Sequence, residues 1–298
     1  MTATPAVAPR PAVGGSLSAS GIVRSEWIKL RTVRSTLWCY GLLIVLVVGV
    51  GTLIASLANF ADGDFGSRSA PLANGAAITG DAAGSIVVGL NTAGLNIAVL
   101  IVAVLGSLII TGEYSTGMIR STFTAAPRRT GALTAKGIVL AATAFAATTV
   151  GIWLSALVTW PILSAKGVEV QLGDPAVFLP LLGGALYITM IALLAFGFGV
   201  ILRSTAGSLA TVLGLMLVAP IVLELLHALT NAAWVSHVSE LLPQNAGSHL
   251  FDYRGASAFG GSDPGSWITT GWQGFAVLLA WNVTVLAVAL IRVKRRDA

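Results

Sequence analysis

The sequence predicts an all-α integral membrane protein with six transmembrane helices. Three observations carry that prediction. Only 10% of the 298 residues are charged and 55% are apolar, whereas soluble domains carry roughly 25% charged residues. Six uncharged runs, 35–61, 82–112, 137–165, 175–202, 204–223 and 264–291, each reach the length of about 20 residues that a spanning helix needs. The charges between the runs are sorted by sign onto alternate sides.

Residues 1–20, "MTATPAVAPRPAVGGSLSAS", are rich in Ala, Pro, Gly and Ser and read as a disordered cytoplasmic tail. Residues 21–298 form one six-span domain. It opens with "GIVRSEWIKLRTVRSTLW", in which Ile22, Val23, Trp27, Leu30, Val33 and Leu37 share an arc of about 140° at helical spacing. Arg24, Lys29 and Arg31 lie outside that arc. This pattern predicts an interfacial helix along the inner leaflet, with Trp27 at headgroup level. Glu26 and Arg34 project into the apolar arc. Glu26 either pairs with Lys29, three residues on, or faces another segment of the protein.

Spans are expected at about 37–58, 89–111, 137–163, 177–202, 206–226 and 268–291. The first is too long for the apolar core of a cleaved signal. Cys39 is the single cysteine, so it forms no intrachain disulfide and reads as a small packing residue. Ala195 and Gly199 in the fourth span, and Ala206, Ala210 and Gly214 in the fifth, are small-residue ladders that allow close helix contact. Pro220 frees the carbonyl of Met216 and predicts a kink. The polar residues inside the runs are neutral: Asn91, Asn96, Thr148, Thr149, Thr159, Thr189, Thr211 and Asn282. They either bond between helices or line a path. Ion-driven transporters need ionisable groups within the membrane, and none of the runs holds one. Energy for uphill movement would therefore come from another chain.

Loop charges set the orientation. With the N-terminus inside, 14 of the 17 basic residues are cytoplasmic and nine of the 12 acidic residues are outside. Both termini are then cytoplasmic, and the net charge of +5 belongs to clusters facing an anionic leaflet rather than to a nucleic-acid surface. Outside, Trp234, Val238 and Leu241 predict a short external helix before the last span, stopped by Pro243. His227, His237 and His249 match no zinc spacing and read as solvated loop residues. No phosphate-binding G-x-x-x-x-G-K-[ST] loop occurs, and no catalytic or metal-binding constellation is expected.

Three motifs stand out. E-W-x-K-L-R (Glu26, Trp27, Lys29, Leu30, Arg31) precedes the first span. E-Y-S-x-G-x-I-R (Glu113, Tyr114, Ser115, Gly117, Ile119, Arg120) closes the second, followed by P-R-R and A-K (Pro127, Arg128, Arg129, Ala135, Lys136). "ELLPQNAG", Glu240 to Gly247, precedes the last span. This combination resembles the permease subunit of type-2 ATP-binding-cassette (ABC) exporters.

The resemblance implies a transmembrane permease in the cell membrane, working as a homo- or heterodimer with a second permease above two cytosolic ABC ATPase subunits. ATP and Mg would bind the partner ATPase, so this chain needs no cofactor and is not itself an enzyme. The loop between spans two and three would be the coupling helix seated in the ATPase. The segment before span six would partly re-enter the membrane. In the loop, Ser115 or Thr116 can cap a short helix with Glu113 near its positive end. Ile119 and Phe123 would share one face, while Arg128 and Arg129 anchor the far side. The competing readings are a secondary transporter or channel, and a membrane scaffold or sensor that moves nothing. The cargo is not written in the sequence.

Overall fold

A chain in hydrocarbon cannot hydrogen-bond water, so it satisfies its backbone within helices. A computed structural model describes residues 19–58, 77–118, 129–253 and 267–295; among them Ile78 and Val168 form an isolated bridge. Helix α1 (Ala19–Thr32) leads through Val33 into α2 (Arg34–Leu57), the first span. The second span is α3 (Gly80–Ala93) followed by α4 (Leu95–Ser115); the third is α5 (Arg129–Ala165) and the fourth α6 (Pro175–Leu202). The fifth comprises α7 (Thr205–Leu213), a π-helical segment Gly214–Val218 and α8 (Ala219–Thr230). Short helices α9 (Ala233–Glu240) and α10 (Pro243–Ser248) precede the sixth, α11 (Gly271–Arg295). Six helices are thus long and apolar enough to cross a membrane, and the protein is an all-α integral membrane protein.

The helices run beyond the uncharged stretches. Apolar composition marks where hydrocarbon can lie, while a helix continues as long as its backbone bonds are met. The second span therefore begins at Gly80 and carries Glu113 in its last turn, and α5 starts at Arg129 and carries Lys136 in its second turn. One face of the bundle collects the start of α2, the ends of α4 and α6, the start of α5 and the basic end of α11. We call it the basic face. Here Arg292 donates to the carbonyl of Ile201 at 2.9 Å, covering the C-terminus of α6.

Helices α4 and α6 form the centre. In the spanning window of α6, 67% of residues are buried within the fold, against 17% for the first and fifth spans. Those two spans must therefore face lipid or another protein. Small residues let the central pair close: a Cβ at Gly106 would meet the carbonyl of Ala192, and one at Gly199 would meet Ile110. The Ala195/Gly199 ladder thus serves contact within the bundle. Gly214, in the ladder of the fifth span, faces open space. The second span breaks at Gly94, where a Cβ would lie 2.7 Å from Cα of Val47. The disturbance expected from Pro220 is taken up one turn earlier, by the π-helical segment Gly214–Val218.

Several neutral polar residues do bond between helices. Asn91 accepts from Ser155 at 2.7 Å and Thr159 at 3.2 Å, tying α3 to α5. Ser208 donates to Ser107 and Thr205 to Thr111, both at 2.9 Å, tying α7 to α4. Thr189 and Thr211 instead bond the preceding turn of their own helices.

The segment 241–253 packs into the bundle from the face opposite the basic one. The external helix ends at Glu240, just before Pro243 as expected; Pro243 also starts α10, and the chain turns at Leu241–Leu242. Glycines admit this insert. A Cβ at Gly183 would collide with the carbonyl oxygen of Leu250, one at Gly247 with the Tyr187 ring, and one at Gly274 with the carbonyl of Ala246. Gly183 lies eight residues past Pro175, about 12 Å down α6. The insert therefore reaches well below the end of the bundle. Trp281 Nε1 donates to the carbonyl of Leu241 at 2.9 Å and secures the turn. Trp234, Val238 and Leu241, the apolar stripe of the external helix, are exposed, and Val235 is the residue that faces inward. The histidines are not simply solvated. His237 stacks on Trp267 at 4.0 Å between ring centres, and His249 pairs with Asp252 at 3.2 Å.

Candidate functional site

The strongest concentration of chemistry lies at the basic face, where four charged residues from three helices meet. Glu26 comes from α1, on the side that also buries Leu30 four residues on. Glu113 ends the second span and Lys136 begins the third, so they stand at the two ends of the loop between those spans. Lys136 Nζ lies 2.5 Å from Glu26 Oε2 and 2.8 Å from Glu113 Oε1. Lys29 Nζ reaches Glu26 Oε1 at 2.9 Å and Glu113 Oε1 at 3.5 Å. Two carboxylates and two ammoniums close a neutral ring. Glu26, Glu113 and Lys136 are buried, whereas Lys29 is only partly covered. Both expected roles of Glu26 hold together: it pairs with Lys29 and it faces other protein segments. The second oxygen of Glu113 is buried without a hydrogen-bond partner.

Burial of such a set is tolerable only because each charge has partners. A lone carboxylate out of water is costly, and a complete ring is roughly neutral against an apolar replacement. The ring therefore specifies a position: α1 can sit in only one place without stranding a charge.

Burial pushes the Glu26 carboxyl up, but the ammonium groups of Lys136 and Lys29 outweigh it and hold it below its ordinary 4.5. Burial likewise lowers Lys29, and Glu26 and Glu113 more than restore it, leaving it above 10.5. The signs follow from linkage. Glu26 stabilises the docked helix fully above its unfolded value and loses that contribution as pH falls through the lower folded one. Lys29 stabilises it below 10.5 and loses that contribution as pH rises through its higher folded value. We therefore expect α1 to stay docked across the neutral range and to release under acid below pH 4.5. Hydrogen exchange of residues 21–32 against pH will check this; protection unchanged well below that point would contradict it.

Around the ring, Trp27 is exposed on α1, as an interfacial anchor requires, and Arg31 is exposed beside it. Tyr114 lies under the Arg203 guanidinium, 5.3 Å from ring centre to Cζ. This contact joins the end of the second span to the turn between the fourth and fifth. Arg203 itself adopts a left-handed backbone, φ 52°, to make that turn. Ser115 and Thr116 spend their hydroxyl hydrogens backward, both on the carbonyl of Gly112, and so close α4. Gly117 follows with φ 71°, a conformation that favours glycine. Of the loop itself, Ile119, Arg120, Phe123 and Arg128 lie outside the described residues, as do the side chains of Arg129 and Ile22.

Sequence reasoning gave Lys136 no role beyond its motif. Yet it is the hub of the ring, and the signal was present. It is the charge that opens the third uncharged run, just as Glu113 closes the second. Arg203, between the fourth and fifth runs, was missed likewise. Among the described residues no group of three or more metal-ligating side chains occurs.

The geometry is that of a membrane bundle whose first helix is locked at one face to the end of the second span and the start of the third. The family model described as ABC-2 family transporter protein matches residues 21–298. No curated protein matches the sequence. The match covers the whole of the described bundle, and the chain belongs to the ABC-2 family of transporters, as a permease component of an ABC transporter.

Proposed function

We propose that this permease is an exporter subunit that pairs with a second permease and is driven by a separate cytosolic ATPase, which binds ATP and Mg. The basic face is cytoplasmic in this reading, with both termini on the cytoplasmic side of the cell membrane. The loop 113–129 receives the push of the ATPase. The observation that carries the proposal is the buried ring of Glu26, Lys29, Glu113 and Lys136. It couples both ends of that loop, and α1 beside it, into one body, so a displacement of the loop moves the second and third spans together. Permeases of this family generally work with ATPase partners. The exposed first and fifth spans offer the apolar faces that a second permease would cover.

The test is gentle purification from native membranes, with mass spectrometry and ATPase assay on one sample. A P-loop ATPase in near-equal amount supports the reading. Ile119→Asp and Phe123→Asp should then release that ATPase and abolish transport. Retention of both functions would remove the loop from the coupling role, and a preparation free of any ATPase would overturn the exporter reading.

A further inference from the structure

A cavity of about 130 Å³ lies between the second span and the insert, on the face opposite the ring. Its wall on the second span is one helical stripe, Ser85, Gly89, Thr92 and Asn96; its other wall is Ser248, Phe251, Asp252 and Tyr253. Among the described residues no Lys, Arg or His lines it.

The hydrogen bonds of the lining decide what it can hold. Ser85 gives its hydroxyl hydrogen to the carbonyl of Ala82, Thr92 to that of Val88 and Ser248 to that of Asn245. Tyr253 gives its own to Asp81, and Asn96 directs its amide to Ala93. Each hydroxyl hydrogen is thus committed to a partner, which leaves the hydroxyl oxygens as acceptors, while Asn96 keeps one amide hydrogen. Asp252 adds a carboxylate whose side chain is only 6% exposed, with His249 Nδ1 3.2 Å from one oxygen. Phe251 and Tyr253 contribute aromatic rings to the same wall. A lining of acceptors, one carboxylate and two rings matches a cation that carries N–H donors. It offers an anion no cationic side chain among the described residues. Among the described residues it also lacks the three-ligand set that a metal would need.

We propose that this cavity is a binding site for a primary ammonium group, with Asp252 as its counter-ion and Ser85, Thr92 and Ser248 as acceptors. The proposal deepens the permease reading, on which the step from site to cargo rests: it assigns the cargo, or a part of it, to protonated amines. Binding itself does not depend on any ATPase, so the two can fail separately.

The test is ligand-observed NMR titration of the full-length protein in lipid nanodiscs at pH 7, with empty nanodiscs as the blank. Isobutylamine is the probe, and isobutanol and isobutyrate are its neutral and anionic counterparts. The amine should bind saturably and the other two should not. Asp252→Asn should weaken amine binding about tenfold or more, the loss expected for a charge-assisted hydrogen bond. Because Asp252→Asn also disturbs the contact with His249, the selectivity series on the unmodified protein stands as an independent arm. Equal binding of isobutanol would reduce the site to an apolar hole. Binding of isobutyrate, no saturable amine binding, or full amine affinity in folded Asp252→Asn would each overturn the proposal.

Discussion

Lys136→Met should be among the most damaging single substitutions in this protein. It leaves the buried carboxylates of Glu26 and Glu113 facing each other with only Lys29, at 2.9 and 3.5 Å, between them. Breaking a buried ion pair by removing one partner costs about 3–5 kcal/mol. The loss should show as a large fall in thermal stability in detergent and as loss of protection over α1. Neutralising the three buried members of the ring, with the partly exposed Lys29 retained, should behave differently. Glu26→Gln and Glu113→Gln added to Lys136→Met remove the stranded charges, and most of the stability should return. A triple variant no more stable than Lys136→Met would show that packing, not charge, sets the cost.

Gly183→Ala should have the second largest effect, because its Cβ would collide with a backbone carbonyl, that of Leu250. A flexible side chain can swing away from such a clash, but backbone held by α10 and α11 cannot. Overpacking of a close-packed site typically costs 1–3 kcal/mol, and the insert should lift from α6 to relieve it. Hydrogen exchange should then rise across residues 243–253 and stay unchanged over α1. Unchanged protection of the insert would mean that it does not seat against α6 as described.

Much of the fold was legible because bilayer physics is coarse. Six long uncharged runs and a one-sided distribution of arginine and lysine leave few arrangements, and six membrane-crossing helices are what the structure contains. Helix ends were less legible. Charge-free length reports the apolar slab, so the extra turns that carry Glu113 and Lys136 could not be seen from it. The insert was readable only through its proline and glycines, whose meaning depends on what packs against them. Pro243 both terminates one helix and starts the next, and Gly183 reads as filler until Leu250 is placed beside it.

The site divides in the same way. Glu26 stood out as a charge within an apolar arc, a local conflict that marks a residue with a partner elsewhere. Its partners lie 87 and 110 residues away in sequence, at Glu113 through Lys29 and at Lys136. No periodicity links them. The cavity opposite was less visible still, because its character comes from where each hydroxyl sends its hydrogen. That is a property of the folded backbone rather than of composition.

The proposed role of the ring in coupling is tested most directly with the triple variant Glu26→Gln, Glu113→Gln and Lys136→Met, co-purified with the proposed ATPase partner and sealed in liposomes. ATP hydrolysis and flux are measured on the same vesicles. If the ring transmits the push, the variant stays folded and still hydrolyses ATP, while flux per ATP falls at least about tenfold, the equivalent of ~1.4 kcal/mol of lost coupling. Unchanged flux per ATP in the folded variant would show that the ring only holds α1 in place.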